Sequence, residues 1–163
     1  TAKQIVVWNP GCGKGMESYS LACLLKKRYP DARIRIYAHD TDLLSVSNAP
    51  LLSIPAEVAN DWYSPYVTKK ATGDYTFIPD IRNSVMFEYH DCKNANALPM
   101  VDIIFARDLI SLLDEDAQKL LINEFLEKMK GNAVAIIGEN EVIPSSSGFG
   151  EKSVGALVAY TKD

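Results

Sequence analysis

With 163 residues, 47% of them apolar and 23% charged, the chain has material for one sizeable hydrophobic core. A formal net charge of −4 argues against non-specific binding of nucleic acid or an anionic membrane surface, and Lys26-Lys27-Arg28 and Lys69-Lys70 are too short to track a phosphate backbone. No apolar run approaches the roughly 20 residues of a membrane span, no signal-peptide pattern opens the chain, and Cys12, Cys23 and Cys92 follow no CxxC or zinc spacing, as expected in a reducing cytoplasm.

The chain opens at Thr1 without an initiator Met, almost at once in a strand-like run, which suggests a piece of a longer protein. Gln4-Ile5-Val6-Val7-Trp8 is β-prone with no helical period, the mark of a buried strand. Beyond three glycines, Tyr19, Leu21, Ala22, Leu24 and Leu25 form the apolar face of a helix. Lys26-Lys27-Arg28 suits the negative end of its dipole, and Pro30 ends it. Residues 33–38 alternate as a second strand, so strand, glycine turn, helix and strand compose a right-handed βαβ unit.

Residues 42–48 and 55–62 read as short helices, the second opened by Pro55. From 63 to 81, aromatic and β-branched residues surround a Gly73-Asp74 turn, which predicts a β-hairpin. Val85, Phe87 and Tyr89 alternate with Met86 and Glu88 in a further strand, and Val101–Ala106 is another. Asp114 caps a helix expected to run to about Met129, with Leu120, Leu121, Phe125 and Met129 on one face and Gly131-Asn132 as its stop. Residues 133–138 and 154–160 are the last strands. The Ser/Gly-rich connection 145–150 between them has no helical pattern, so the two are expected to pair antiparallel. The domain reading is a single unit over 1–163 with a hairpin insertion at 63–81.

Gly11-Cys12-Gly13-Lys14-Gly15 follows a strand and opens a helix. There glycines admit positive φ and let backbone approach a ligand closely. The plain alternative is a tight turn without a ligand. A dinucleotide fingerprint, GxGxxG, would need glycine at Met16, and a P-loop would need Ser or Thr at Gly15, so a NAD-dependent dehydrogenase is a distant reading. GxGxG is similar to the first motif of S-adenosylmethionine (SAM)-dependent methyltransferases. A ribose in such a site calls for a carboxylate at the end of the second strand, supplied by Asp40, with Asp42 two residues on. Either could instead cap a helix, Asp42 the more readily. His39 reads as a surface or strand-end residue, and neither histidine has a metal-spaced partner, so no metal is expected.

Five motifs in order make the resemblance specific. GCGKGMESYSLAC (11–23), AHDTD (38–42), IRNSVMFEYHDC (81–92), VDIIFARDLISLLD (101–114) and Gly138-Glu139-Asn140-Glu141 are similar to GCSTGEEPYSLAM, ATDID, IRxxVxFxxxNL, FDLIFCRNVLIYFD and GHSE of the CheR-type chemotaxis receptor methyltransferases. The resemblance implies a class I, Rossmann-like α/β three-layer sandwich: a mostly parallel seven-stranded sheet with an antiparallel last strand. It implies methyl transfer from SAM to glutamate side chains of chemoreceptors, leaving S-adenosyl-L-homocysteine. The partners would be chemoreceptor cytoplasmic segments or other signalling proteins, with no nucleic acid and no membrane insertion.

Carried over by position, Gly11, Gly13 and Gly15 would line the methionine end, Glu17 would bind the ammonium, and Asp40 the ribose. Asp91 would accept from the adenine amino group beside Cys92, and Arg107 would orient the substrate carboxylate. In the family the subdomain corresponding to 63–81 docks a receptor tail by strand addition; an edge hairpin without a partner is as good a reading here. The departures are Met16 for a glutamate, Ser18 for a proline, Asp108 for an asparagine and Leu112 for a tyrosine near the methyl group. The family's helical N-terminal domain, which supplies an arginine and closes the active site, has no counterpart within residues 1–163. A second reading is therefore a catalytically degenerate SAM-binding or protein-interaction module.

Overall fold

The structure, a computed structural model, describes residues 3–59, 63–154 and 157–162. Nine strands and five α-helices follow in chain order among them: β1 (Gln4–Pro10), α1 (Met16–Arg28), β2 (Arg33–Asp40), α2 (Leu43–Asn48), α3 (Ala56–Ala59), β3 (Val67–Lys69), β4 (Tyr75–Phe77), α4 (Pro79–Arg82), β5 (Val85–Tyr89), β6 (Val101–Ala106), α5 (Glu115–Lys128), β7 (Met129–Ile137), β8 (Phe149–Val154) and β9 (Leu157–Lys162). Seven of the strands form one sheet in the order β5-β2-β1-β6-β7-β9-β8, in which β9 alone runs opposite to the other six.

The strand alternation separates two apolar layers. Ile5 and Val7 of β1 join Ile34, Ile36 and Ala38 of β2 beneath Tyr19, Ala22 and Cys23 of α1. Val6 and Trp8 point the other way, to Ile104 of β6 and to Leu121, Ile122 and Phe125 of α5. Helices on both faces of a parallel sheet give the expected three-layer sandwich. The second sheet is the hairpin β3-β4, turned at Gly73 with φ +95°.

Three local expectations change, and a fourth falls partly outside the described residues. The helix opened by Asp114, whose carboxylate accepts from Ala117 N at 2.8 Å, ends at Lys128; buried Met129 is already extended and starts β7. Gly131-Asn132 therefore stops no helix. Against β6 the register passes from Val101↔Met129 to Ile103↔Val134, so the extra residues, these two among them, bulge from the strand. The connection expected at 145–150 yields from Phe149 onward to β8, the seventh strand. It lies at the sheet edge and exposes Glu151 and Lys152, the charged composition that keeps edges from pairing further and hides them from an apolar-alternation search. Of the helix expected at 55–62, Ala56–Ala59 is helical and 60–62 lie outside the described residues. His39 is a strand-end residue but not a surface one, being only 2% exposed.

Candidate functional site

Strand order reverses between β1 and β6, which leaves a crevice outside their carboxyl ends, the place where open α/β sheets take ligands. A cleft of about 490 Å³ lies there, bordered by Gly11 after β1, Asp40 at the end of β2, Asp91 and Cys92 after β5, and Leu109 and Leu112 after β6. Its size is that of small-molecule sites in general.

The glycine turn is built by backbone geometry. Gly11, Gly13 and Gly15 have φ of +72°, +58° and +96°, values that cost little only without a Cβ. Gly11 N and Cys12 N both donate to His39 O, at 2.8 and 3.0 Å, tying the turn to the end of β2. Gly15 is needed twice over, because a Cβ there would meet Phe87 Cζ at 2.9 Å and Ala49 Cβ at 3.0 Å. It lies packed beneath the turn rather than in the cleft.

Asp40 completes the tie. Its Oδ2 accepts from Gly13 N at 2.8 Å and its Oδ1 from Asp42 N at 2.9 Å. A carboxylate has about four acceptor positions, so two remain for hydroxyl donors in the cleft. Asp42 takes the capping role, accepting from Leu44 N and Ser45 N at the start of α2. Asp91 Oδ1 accepts from Lys93 N at 3.0 Å, with Lys93 Nζ 3.8 Å from its other oxygen. Burial and the charge of Asp91 push the Cys92 thiol up, so Cys92 is a neutral apolar wall. Burial, then the charge of Asp40, raises Cys12 to about 12, an unreactive thiol inside the turn.

A second polar group sits at the first turn of α1. Glu17 is half-buried and its carboxyl is raised above 4.5, chiefly by burial; a hydrogen bond from Asn9 and the charge of Arg107 oppose the rise. Asn9, fully buried at the end of β1, donates through Nδ2 to Glu17 Oε1 (3.1 Å) and Phe105 O (2.7 Å) and accepts from Ser18 Oγ at 2.6 Å. One side chain thereby joins β1, β6 and α1. No sequence signal singled it out beyond a polar residue closing a buried strand.

After β6 the chain turns through Asp108 at φ +59°, a left-handed conformation that Asp and Asn tolerate better than other side chains. Asparagine and aspartate are therefore geometrically equivalent at this position. The turn is held by Glu141, which accepts from Asp108 N (2.7 Å), Gly138 N (2.8 Å) and Ser111 N (2.8 Å) while itself buried. A Cβ on Gly138 would lie 2.5 Å from Asp108 Oδ1 and 2.8 Å from Glu141 Oε1, so a larger residue would have to displace the Glu141 carboxylate from the turn. The last of the five motifs thus acts as a clamp on the loop that carries Arg107, a role its pattern did not disclose. Arg107 is exposed, and Leu112 is 80% exposed at the cleft rim.

Of the residues singled out in the sequence, Gly11, Asp40, Asp91 and Cys92 border the cleft together. Gly13 is joined to it through Asp40; Gly15, Glu17 and Arg107 are not part of its wall. Glu17 is near enough to Arg107 and Asp108 to feel both charges, which places a second polar region beside the turn. The acceptor set suits a cationic nucleoside: Asp40 with spare acceptor positions for hydroxyls, Asp91 for an amino group, and a partly desolvated Glu17 for an ammonium. Among the described residues no group of three or more His, Cys, Asp or Glu side chains is placed to hold a metal, and no helix is long and apolar enough to cross a membrane.

Comparison with known proteins gives the same direction. The family described as CheR methyltransferase, SAM binding domain, matches residues 1–155. Chemotaxis protein methyltransferase 2 of Vibrio cholerae serotype O1 is 28% identical over 147 residues, 84% of this chain and 51% of that protein. The chemotaxis protein methyltransferase of Listeria monocytogenes is 23% identical over 149 residues, 88% of this chain and 56% of the other. The chain thus spans about half the length of these relatives. Among solved structures, a TehB-like SAM-dependent methyltransferase from Corynebacterium glutamicum superimposes with a TM-score of 0.62 at 11% identity, covering 100% of this chain and 83% of its own. The glycopeptide N-methyltransferase MtfA complexed with SAM gives 0.56 at 13% identity, over 82% of this chain and 43% of its own. At these identities the structural likeness speaks for the fold, a class I methyltransferase sandwich.

Proposed function

This chain belongs to the CheR methyltransferase family, as its SAM-binding domain, and from that premise we propose that it binds SAM across the cleft and takes part in methyl transfer to glutamate side chains of chemoreceptor proteins. The observation that carries the reading is the meeting of Gly11, Asp40, Asp91 and Cys92 around one crevice at the reversal of strand order. When bound, SAM supplies an electrophilic methyl group on a sulfonium. Asp40 would accept from the ribose hydroxyls, Asp91 from the adenine amino group, and Glu17 would pair with the ammonium. Arg107 would draw the acceptor carboxylate into line. The nucleophile is already an anion at neutral pH, so positioning and exclusion of water supply the acceleration and no strong base is required.

Leu112 favours a second reading. It stands at the rim where the family has a tyrosine, is almost fully exposed, and offers no hydrogen-bond donor. A chain that binds SAM without transferring its methyl group would serve as a ligand-dependent interaction module for signalling proteins. Calorimetric titration with SAM and with S-adenosyl-L-homocysteine tests the shared part: micromolar binding is expected, and no heat at millimolar ligand would remove both readings. Transfer of labelled methyl groups to chemoreceptor fragments then separates them. If transfer occurs, Arg107→Ala should abolish it with little change in SAM affinity, and an active variant would take Arg107 out of the mechanism.

A further inference from the structure

The connection between β2 and the hairpin carries large apolar side chains that the fold leaves in water. α2 buries Val46, yet Leu43 and Leu44 of the same helix are exposed, Leu44 by 71%. Leu51, in the 3-10 turn Ala49–Leu51, is 74% exposed, and Val58 is exposed as well. Isolated exposed leucines are ordinary, but four large apolar residues in one connection mark a contact surface.

Leu44, Leu51 and Leu52 border an open groove of about 610 Å³, together with Lys14, Asp42 and Ser53. Gly11 borders the first cleft and Lys14 this groove, so the two lie on either side of the glycine turn. The walls of the groove are fixed. Gly15 packs so closely that a Cβ on it would meet Ala49 Cβ at 3.0 Å, which seats the turn against the residues before Leu51. At the other end Ile54 and Tyr75 exchange two backbone hydrogen bonds of 2.8 Å, fastening the connection to β4.

Charge distinguishes the possible occupants. Lys14, where the family's motif has threonine, is exposed and, among the described residues, makes no hydrogen bond or ion pair. Lys70 Nζ donates to Ser53 Oγ at 2.6 Å on the hairpin side and keeps two N–H groups for another acceptor. The acid on the border, Asp42, is engaged in capping α2 through Leu44 N, Ser45 N and Ser45 Oγ. An apolar floor between two ammonium groups suits a segment that presents a leucine-like side chain flanked by carboxylates. A basic segment would be repelled at Lys14 and Lys70, and a wholly apolar one would leave Lys14 without a counter-charge. A net charge of −4 disfavours an anionic lipid surface.

We propose that this groove docks an acidic, leucine-bearing segment of the methyl-acceptor protein, with carboxylates at Lys14 and Lys70 and the apolar side chain against Leu44, Leu51 and Leu52. That the partner is the acceptor rests on the function proposed above; the chemistry of the groove does not. The probe is a fluorescein-labelled peptide of repeated Glu-Ala-Leu-Glu units, followed by anisotropy without SAM. Saturable binding is expected, and the same peptide with Lys for Glu, or with Ser for Leu, should bind at least about tenfold more weakly.

Leu51→Ala should weaken the acidic peptide about fivefold and Lys14→Glu about tenfold, both at exposed positions, with melting curves confirming that the variants remain folded. Where methyl transfer to receptor fragments is measured, Leu51→Ala should raise KM and leave kcat unchanged. Absence of saturation, equal binding of the lysine peptide, or unchanged affinity in either variant would overturn the proposal. So would displacement of the peptide by S-adenosyl-L-homocysteine, which would place it in the first cleft. Binding to phosphatidylserine vesicles that Leu51→Ala abolishes would overturn it too, by giving the groove to a lipid surface. A protein that binds no SAM still gives a readable peptide titration, so failure of one reading is distinguishable from failure of the other.

Discussion

Asp40 and Glu141 both hold loops at the carboxyl edge of the sheet by accepting backbone N–H groups, yet they differ in what is left over. Asp40 takes two such bonds, is half-buried, and borders the cleft with acceptor capacity to spare. Glu141 takes three from three separate points of the chain, is buried, and spends most of its acceptor capacity joining the turn after β6 to the turn after β7. Both belong to motifs of equal prominence in the sequence. A motif carboxylate can therefore be a ligand group that also braces its loop, or a brace alone, and hydrogen-bond accounting tells the two apart.

The comparison breaks most visibly at Glu141. Glu141→Ala strips the acceptor from three N–H groups, two of them around a turn with a left-handed Asp108, and should cost on the order of 3 kcal/mol in a denaturant titration. Glu141→Gln should cost less, because one oxygen remains. A loss within about 0.5 kcal/mol for the alanine variant would mean that the clamp carries no stability.

Asp40→Ala should show both faces of its residue. SAM affinity should fall about tenfold or more by calorimetry, while the orphaned Gly13 and Asp42 N–H groups cost about 1 kcal/mol of stability. Lost affinity with unchanged stability would make Asp40 a ligand group only; the reverse would make it a second Glu141.

Glu17 sharpens the contrast through pH. Its folded carboxyl is raised above 4.5, so the unliganded protein favours the protonated form and loses that advantage as pH rises through the raised pKa. A ligand ammonium favours the ionised form. SAM affinity should accordingly decline as pH is lowered from 7 toward that pKa, whereas Glu17→Gln should bind more weakly and stay flat across the same window. An identical decline in the variant would assign it to another group. The smallest effect is expected at Leu112: exposed at the rim, Leu112→Tyr should change stability by less than about 0.5 kcal/mol. If the tyrosine alone is missing from the reacting end, it should raise methyl transfer.

Much of this was legible before folding. The buried run of β1, the periodic faces of α1 and α5, and the caps at Asp42 and Asp114 are local, because strand burial, helical period and side-chain capping each depend on residues a few positions apart. The glycine turn was readable for the same reason: positive φ at three alternate positions selects one residue type. Gly131-Asn132 shows the limit. Its turn chemistry was a true signal, but whether it stops a helix or bulges a strand depends on the pull of β6 on Met129, 28 positions away from its partner Val101. β8 was invisible because an edge strand has one neighbour and no apolar face to advertise.

The sequence by itself determined the α/β order, the family and the residue types around the first cleft, since these follow from local pattern and motif. Tertiary structure alone decided that Asn9 joins three elements through one amide, that Glu141 braces the turn after β6, and that His39 is buried against Trp8. Such arrangements depend on which distant backbone groups arrive within hydrogen-bond reach, and no spacing along the chain encodes that.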